Sequence, residues 1–430
     1  MVHSTVKAAP SYAAGKVNAA GVVPARIAAL TEGVLKAMFT TKLTIAATVL
    51  LTTVLIGGVG VVACHTLAVE PQNQPRSKAA QSRKQKPAIS KPTIKTEKPP
   101  LRSQVLKHEH RVGPIAWGAD CKTLVSVTYD DKPTAGAVRL WDLRKGTVKR
   151  TLADKDGKFS TYDASVAFSA GGKIIGAAHS VVGDRKLTGE VLLWDAESGK
   201  LKHRLEHGTL GIRCLAFSPD SRRVAGGSGG NLGRDIAIVK LWDVKTGKLL
   251  RSLQTTDRMA VQLAFSGDGK WLAVMAQDKN AQEVLLWDTA TGDMVSTFGQ
   301  HEVFGSVSFP SAGTILAALT YTGTGDEIKC SLKLYDISTS KLKRTQAFQN
   351  TSVRFTGYGG VLSPDGKVMA HAARQGKKTI MTLWDVKSGT LKMTLEDLPP
   401  GSYYYLAFSR DGKALAASCG GKTIKLWELR

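Results

Sequence analysis

The side chains that most often perform chemistry are scattered along this chain. Nine histidines and five cysteines occur among 430 residues, and none stands in the HExxH or CxxC spacing of a metal site. His108 and His110 are the nearest pair, which we interpret as exposed residues at a strand end. A phosphate-binding GxxxxGK[ST] loop is also missing. The sequence therefore predicts no catalytic residue, no metal and no cofactor, and we expect that the protein is not an enzyme.

The five cysteines do not form spaced pairs. They stand at Cys64, Cys121, Cys214, Cys330 and Cys419. Spaced pairs indicate a disulfide or metal framework, whereas scattered single cysteines favour unpaired thiols that serve packing. The cysteines therefore do not indicate a cellular compartment.

The chain is strongly basic, with a formal net charge of +24 and a pI near 9.8. Residues 1–100 alone carry 13 Lys/Arg against three acids. The other basic residues are distributed along the remaining chain, so the sequence shows no single stripe that could follow a phosphate backbone. This distribution argues against specific nucleic-acid binding.

One dipeptide, an aromatic residue followed by an acid, closes a short apolar run seven times. The copies are Trp141-Asp142, Trp194-Asp195, Trp242-Asp243, Trp287-Asp288, Tyr335-Asp336, Trp384-Asp385 and Trp427-Glu428. They are 43 to 53 residues apart, which is the period of a repeat architecture. Seven copies of one unit are therefore predicted to fill residues 101–430.

Each unit shows the same order of signals, and the third unit illustrates it. An apolar run at 214–217 precedes a Ser-Pro-Asp-Ser turn, and further β-rich runs follow at 224–228, 238–242 and 248–253. Short β-rich runs separated by Gly, Pro, Asp and Ser predict strands. Four strands in each of seven units predict an all-β, seven-bladed β-propeller.

The turn after the first strand also recurs, with the pattern Ala-Phe-Ser-x-Asp-Gly-Lys. It is found in whole or in part at 116–122, 167–173, 216–222, 264–270, 308–314, 362–367 and 407–413. Together with the Trp-Asp dipeptide, this turn resembles the WD-repeat (WD40) β-propeller family. The resemblance covers residues 101–430 and implies a monomeric propeller that docks protein partners.

Two details refine this resemblance. Only two residues follow Trp427-Glu428, whereas residues 101–107 read as a surplus outer strand, so the resemblance implies that this strand completes the last blade.

Many family members carry an Asp six residues before the Trp, as part of a buried hydrogen-bonded network. This chain has other residues there, namely Ala135, Thr188, Ile236, Ala281, Lys329, Lys378 and Gly421. We therefore expect apolar packing and ladder hydrogen bonds to hold the blades.

The first hundred residues predict a membrane tether. Residues 43–69 contain no Asp, Glu, Lys or Arg and are long enough for a transmembrane helix, which needs about 20 apolar residues. The Ala-rich segment 1–42 precedes them and includes a short predicted helix at 27–39. Residues 70–100 hold six prolines, eight Lys/Arg and no aromatic residue, which predicts a disordered, basic, Pro-rich linker.

Alternatives to an uncleaved anchor remain open. If translation started at Met38, the apolar run would resemble a cleaved signal peptide, and Val61-Val62-Ala63-Cys64 fits the pattern before a lipid-modified cysteine. Three Lys/Arg before the span and five after it favour a cytoplasmic C-terminus by the positive-inside rule.

A second resemblance favours the opposite orientation. Residues 4–9, 25–38 and 42–43 resemble the region that follows the promoter-recognition domains in certain bacterial extracytoplasmic-function sigma factors. Those proteins continue through one membrane span into a repeat domain. The resemblance implies a cytoplasmic N-terminus and an extracytoplasmic propeller, which is the orientation we expect. Residues 1–42 are too few for sigma domains, so direct transcription activity is not expected.

The predicted binding surface is the face that carries the loops between second and third strands. The longest and most polar of these loops are predicted at 129–137, 179–190, 228–235 and 321–329. In WD-repeat propellers this face commonly docks partners, and basic residues would surround it here. These residues are Lys132, Arg185, Lys186, Arg234, Lys279, Lys329, Lys377 and Lys378. The expected partner is an acidic protein or peptide, and a solvated loop rim is the alternative.

The sequence thus predicts a membrane-anchored, non-catalytic scaffold or sensor for protein partners. Two alternatives belong to other classes. One is a regulatory remnant of a membrane-linked sigma factor, and the other is an extracytoplasmic propeller that binds a ligand or catalyses a reaction in its central channel.

Overall fold

We describe a computed structural model of the chain, whose described residues all lie in the unit Lys91–Arg430. The residues described are 103–129, 136–152, 164–182, 187–208, 211–229, 237–255, 258–278, 281–299, 302–310, 313–323, 328–348, 354–355, 360–375, 378–395, 398, 405–418 and 421–429. No helix among them is long and apolar enough to cross a membrane. The segments predicted at 1–42, 43–69 and 70–100 lie outside the described residues.

The described residues form twenty-nine strands in seven antiparallel sheets, each of which is one blade. Blade 1 contains β2 (Arg111–Trp117), β3 (Thr123–Tyr129), β4 (Ala137–Asp142) and β5 (Thr147–Leu152). Blade 2 contains β6 (Ser165–Phe168), β7 (Ile174–Val182), β8 (Leu187–Asp195) and β9 (Leu201–Gly208). Blade 3 contains β10 (Gly211–Phe217), β11 (Arg223–Gly229), β12 (Ala237–Asp243) and β13 (Leu249–Thr255). Blade 4 contains β14 (Met259–Phe265), β15 (Trp271–Gln277), β16 (Gln282–Asp288) and β17 (Met294–Phe298).

Blade 5 follows the same plan, whereas blades 6 and 7 depart slightly from it. Blade 5 contains β18 (Val303–Ser308), β19 (Ile315–Thr322), β20 (Lys329–Asp336) and β21 (Lys341–Phe348). In blade 6 the first strand is divided, and the blade contains β22 (Arg354–Phe355), β23 (Val361–Leu362), β24 (Val368–Gln375), β25 (Lys378–Asp385) and β26 (Leu391–Leu395). Blade 7 contains β27 (Tyr405–Phe408), β28 (Ala414–Ser418), β29 (Thr423–Glu428) and the N-terminal strand β1 (Ser103–Lys107).

Strand β1 closes the ring. It pairs antiparallel with β29, with Gln104 opposite Leu426 and Leu106 opposite Ile424. The strand predicted at 101–107 is therefore the outer strand of blade 7, and the first strands of blades 7 and 1 contact each other. Closure removes the open sheet edge between the two ends of the propeller.

Apolar side chains from neighbouring blades interlock between the sheets. Between blades 3 and 4, for example, Leu241 of β12 belongs to the same buried cluster as Leu272 and Trp287. The seam between blades 7 and 1 is packed in the same way, with Leu106 and Trp141 in one cluster. The closing strand thus contributes to the core as well as to the ladder.

The aromatic residue of each repeated dipeptide marks a local irregularity in its blade. In the first six blades the register between the third and fourth strands shifts between a leucine and this aromatic residue. Such a bulge bends and twists the strand. The three most deeply buried examples, Trp141, Trp194 and Trp384, are at most 1% exposed.

The acid of the dipeptide caps the turn that follows. Asp243 Oδ1 accepts hydrogen bonds from the backbone N–H of Thr246 (2.7 Å) and from its hydroxyl (2.8 Å). The hydrogen bond from the Thr246 amide is the main reason that the pKa of Asp243 lies below its ordinary value. Asp195 and Asp385 use Ser198 and Ser388 in the same way. These carboxylates therefore have a structural use.

The hydrogen-bonded networks around the buried Trp rings are incomplete. Trp141 Nε1 donates to Ser126 Oγ (2.9 Å), and Trp384 Nε1 donates to Thr382 Oγ1 (2.9 Å). The His108 ring lies edge-on to Trp141 at 5.8 Å. Trp287 Nε1, by contrast, is buried without a hydrogen-bond partner among the described residues. Polar contacts at these sites differ from blade to blade, whereas apolar packing is common to all.

All four predicted long loops overlap strands at one or both ends, and two of them show this most clearly. In blade 2 the ladder continues from His179 opposite Glu190 to Val182 opposite Leu187, so the loop prediction for 179–190 was wrong at both ends. In blade 5 Tyr321 pairs with Cys330 and Thr322 with Lys329. Polar residues at these positions suggested loops, but backbone pairing beyond the core does not require apolar side chains.

Candidate functional site

The first strands of all seven blades surround a central cavity of about 490 Å³. Each blade contributes two or more residues to its wall, which includes Arg213, Cys214, Val261, Gln262 and Gly305. A cavity of this size lies within the range of small-ligand sites, about 300–1,000 Å³.

Bulges in the first strands help to shape this cavity. The register of β10 against β11 shifts between Ile212 and Cys214, which leaves Arg213 as the extra residue. Equivalent shifts occur in β14, where Val261 is extra, and in β18, where Gly305 is extra. All three extra residues line the cavity. A bulge re-aims a side chain, so the same irregularity in neighbouring blades directs residues into the channel.

Arg213 is the only charged residue among the described residues that line the cavity. The other polar side chains there are neutral, and the side-chain oxygen of Gln262 already accepts a hydrogen bond from the Val307 amide at 2.9 Å. A guanidinium binds carboxylate or phosphate groups through two parallel hydrogen bonds, so the cavity is suited to an anionic group.

Cys214 also lines the cavity, but burial raises the pKa of its thiol to about 12, and a protonated thiol is a poor nucleophile. The described wall residues include no His, Asp or Glu that could act as a general base beside it. Across the described part of the chain, no three His, Cys, Asp or Glu side chains are grouped to hold a metal ion.

A second cavity, of about 460 Å³, lies at the other ends of the first strands. Its wall comes from blades 1, 2, 6 and 7 and includes Trp117, Phe168 and Phe408. The indole of Trp117 donates to the Ala407 carbonyl oxygen at 2.9 Å. Arg410 reaches across this end of the ring to the Ala170 carbonyl oxygen. These contacts join blades, and we interpret this end as structural.

Most of the sequence-predicted binding residues cannot be compared with this cavity. Lys132, Arg185, Lys186, Arg234, Lys279 and Lys377 lie outside the described residues. Lys329 is exposed and begins β20, and the backbone of Lys378 begins β25. These two strands are the third strands of blades 5 and 6, so both residues stand at the predicted face of the ring, away from the cavity wall.

Sequence reasoning did not identify Arg213. The residue precedes a typical first-strand run, and nothing in its local pattern distinguishes it from a solvent-exposed Arg. Its position depends on a bulge whose cause is the pairing with β11. The available signal was the residue just before the apolar core of each first strand. This residue is basic only in blade 3.

Comparison with known proteins supports the repeat assignment. The WD40 family, described as "WD domain, G-beta repeat", matches residues 199–232 and 400–428. A WD repeat-containing protein, SL1-17 from Schistosoma mansoni, is 29% identical over 168 residues, which are 39% of this chain and 50% of the relative. The chain thus spans about half the length of the curated relative it matches. The chain contains WD40 repeats, and they form a seven-bladed β-propeller.

Proposed function

We propose that this protein is a membrane-anchored, non-catalytic scaffold or sensor that binds a protein partner through its WD40 propeller. The observation that carries the proposal is the channel mouth, where seven first strands converge on a cavity with one guanidinium. Among the described wall residues Arg213 is the charged one, and a guanidinium can pair with a carboxylate of an acidic partner. Lys329, exposed on blade 5, adds positive charge to the same proposed surface.

The use of the acids supports a binding role. The carboxylates of Asp195, Asp243 and Asp385 each accept hydrogen bonds from their own turns. Asp220 and Asp268 are similarly engaged by Ser218 and Ser266. These recurrent acids are therefore committed to holding turns.

The test compares charge reversal at two ends of the ring. Arg213→Glu changes the channel, and Lys122→Glu makes the same charge change at an exposed turn after β2, between first and second strands. Proteins captured with each variant of the full chain are quantified by mass spectrometry. A partner that is lost with Arg213→Glu and retained with Lys122→Glu supports the proposal. Identical capture by both variants and the wild type contradicts a partner site at the channel.

The membrane anchor needs its own tests. Residues 43–69 carry this part of the proposal by their composition. We expect alkaline carbonate to leave the full chain in the membrane fraction, and release into the supernatant would refute an inserted segment. A reporter fused after Arg430 that is active only outside the cytoplasm would support an extracytoplasmic propeller, and activity in the cytoplasm would exclude it.

The resemblance of residues 4–9, 25–38 and 42–43 to the corresponding region of sigma factors favours a second candidate, a regulator that acts with a separate sigma protein. A neighbouring reading frame that encodes sigma domains would support this candidate. Retention of that sigma protein by the full chain, and its loss on deletion of residues 1–42, would be the direct test. No retention would contradict it.

A further inference from the structure

The fourth strands form the outer edges of the blades, and in blades 1 to 6 each contains one extra residue beside the dipeptide. The register against the third strand shifts there, so one residue of the fourth strand has no residue opposite it in the ladder. In blade order, the extra residues are Lys149, Lys202, Leu250, Val295, Lys343 and Lys392. A lysine thus occupies this position in four blades, whereas an apolar residue occupies it in the neighbouring blades 3 and 4.

The lysines protect the sheet edges. An edge strand presents unpaired backbone groups to other chains, and native proteins prevent unwanted pairing with charged side chains and bulges. In blades 3 and 4 the bulge remains, but its residue is apolar. The residue before the bulge is apolar in all six blades, so two consecutive apolar residues occur here only in blades 3 and 4. They are Leu249 with Leu250 and Met294 with Val295, which are 39–50% exposed.

These four residues, which we name the edge patch, lie on blades that contact each other. Arg251 of β13 donates to the Ala290 carbonyl oxygen in the outer turn of blade 4 at 2.8 Å. A Cβ at Gly292 of that turn would lie 3.6 Å from Leu253 Cδ2. The outer strand of blade 3 therefore lies against the turn that begins β17. Contiguous exposed apolar patches mark interaction sites.

The charges around the edge patch cancel in sum but differ between the two blades. From the dipeptide acid to the end of the outer strand, blade 3 carries three cations and one acid, a net charge of +2. The same segment of blade 4 carries two acids and no cation, a net charge of −2. The cations are Lys245, Lys248 and Arg251, and the acids are Asp243 in blade 3 and Asp288 and Asp293 in blade 4. A sum of zero selects neither a nucleic acid nor an anionic lipid surface, since both attract net positive surfaces.

A second copy of the chain has the complementary arrangement. A twofold axis parallel to the central channel, outside the seam between blades 3 and 4, places blade 3 of each copy opposite blade 4 of the other. The positive segment then faces the negative segment twice. All four apolar side chains follow the same turn of the repeat, so they meet at the same height. Such an isologous contact closes with two copies, whereas a twofold axis perpendicular to the channel would place like charges opposite each other, which is unfavourable.

The charged groups are available for this contact. Lys245, Lys248 and Asp293 are exposed, and none of them forms an ion pair with another described residue. Lys248 and Asp293 also occupy equivalent places, because each carbonyl oxygen accepts a hydrogen bond from the amide of the dipeptide acid in its own blade. The twofold axis therefore brings these two residues opposite each other.

We propose that the edge patch joins two copies of this chain in a twofold dimer. Leu250 packs against Val295 of the other copy, and Lys248 pairs with Asp293 of the other copy. The contact involves only described residues of the propeller and is independent of the channel. The resemblance to WD-repeat proteins implies a monomer, and the dimer departs from that expectation.

The assay is sedimentation velocity of the full chain in density-matched detergent at micromolar concentrations. We expect a reversible equilibrium between monomer and dimer, since small interfaces bind weakly. Leu250→Lys with Val295→Lys gives blades 3 and 4 the lysine of the other blades and should leave a monomer with an unchanged unfolding midpoint. Val105→Lys with Leu342→Lys is the matched control, because both residues are 49% exposed on the outer strands of blades 7 and 5, and it should retain the dimer.

Several results would overturn the proposal. A wild type that stays monomeric at every concentration would do so. A dimer that persists in the edge-patch variant, or that is lost in both variants, would place the contact elsewhere in the chain. A monomeric wild type that binds phosphatidylcholine vesicles through the edge patch would favour a lipid surface instead.

Charge reversal tests the orientation of the two copies. Lys248→Asp and Asp293→Lys each place like charges opposite each other, and the twofold axis repeats each change. Each variant should therefore raise the Kd of the dimer by about tenfold or more. A mixture of the two variants should form a mixed dimer with the Kd of the wild type, because every pair in it is again of opposite charge. A mixture that dimerises no better than either variant alone would exclude the contact of blade 3 with blade 4.

Discussion

His207 should make the stability of the propeller depend on pH between about 4 and 6.5. The ring lies on β9, is 4% exposed and packs edge-on against Trp242 at a centroid distance of 5.9 Å. Its Nε2 is 3.1 Å from the Gly226 carbonyl oxygen, and because a carbonyl only accepts, this nitrogen carries a proton. Burial lowers the pKa of His207 to about 4, and the nearby Lys240 acts in the same direction.

The sign and size of the effect follow from linkage. As pH falls below 6.5, the unfolded chain binds a proton at His207 while the folded ring stays neutral until about pH 4. The unfolded state therefore binds more protons, so the free energy of unfolding decreases as the pH is lowered. Between pH 8 and pH 5 this one group should lower it by about 2 kcal/mol.

The assay is urea unfolding of the wild type and of His207→Gln at pH 8 and pH 5. The Gln amide does not titrate, so the variant should lose about 2 kcal/mol less than the wild type over this range. The variant should also be less stable at pH 8, since it loses the ring contact with Trp242. Ser252→Ala, at an exposed position of β13, should keep the wild-type pH dependence. Parallel losses in the wild type and His207→Gln would refute the reasoning.

Three further predictions concern the architecture. Leu106→Ala should lower the free energy of unfolding by about 2–5 kcal/mol, because this 1%-exposed side chain of β1 fills the seam between blades 7 and 1. A smaller loss in urea unfolding would mean that the closing strand is loosely packed. Arg251→Ala should cost about 1 kcal/mol through loss of its bond to the Ala290 carbonyl oxygen, while Lys248→Ala in the turn before the same strand should be neutral in the same assay. Ser340→Gly should stabilise the protein by about 0.5–1 kcal/mol, since Ser340 has a φ of 55° where the equivalent turns have glycine; a lower unfolding midpoint for this variant would contradict that argument.

The architecture could be predicted because its signals are local and repeated. In blade 3 the strands predicted at 214–217, 224–228, 238–242 and 248–253 correspond to β10, β11, β12 and β13. The closing strand could be predicted as well, because one outer strand was surplus at 101–107 and one was missing after Trp427. Counting the units needs only the order of strand and turn signals, and this order can be read from the sequence.

The candidate sites could not be predicted in the same way. The basic residues selected from the loops depend on where each loop begins, and in blade 2 backbone pairing moves that boundary to Val182 and Leu187. Arg213 enters the channel through a bulge that exists only when β10 pairs with β11. On the outer wall, exposed apolar residues such as Leu201 and Leu249 stand at the starts of β9 and β13, about one repeat apart in the sequence.

The sequence by itself determined the number of blades and the strand order within each blade. Both depend on residues close together in the chain, whose preferences for strand and turn act over a few residues. Only the tertiary structure decided which side chains share the channel and the outer wall. Those neighbours come from different repeats, and their separation depends on inter-blade packing and strand register, which no local pattern encodes.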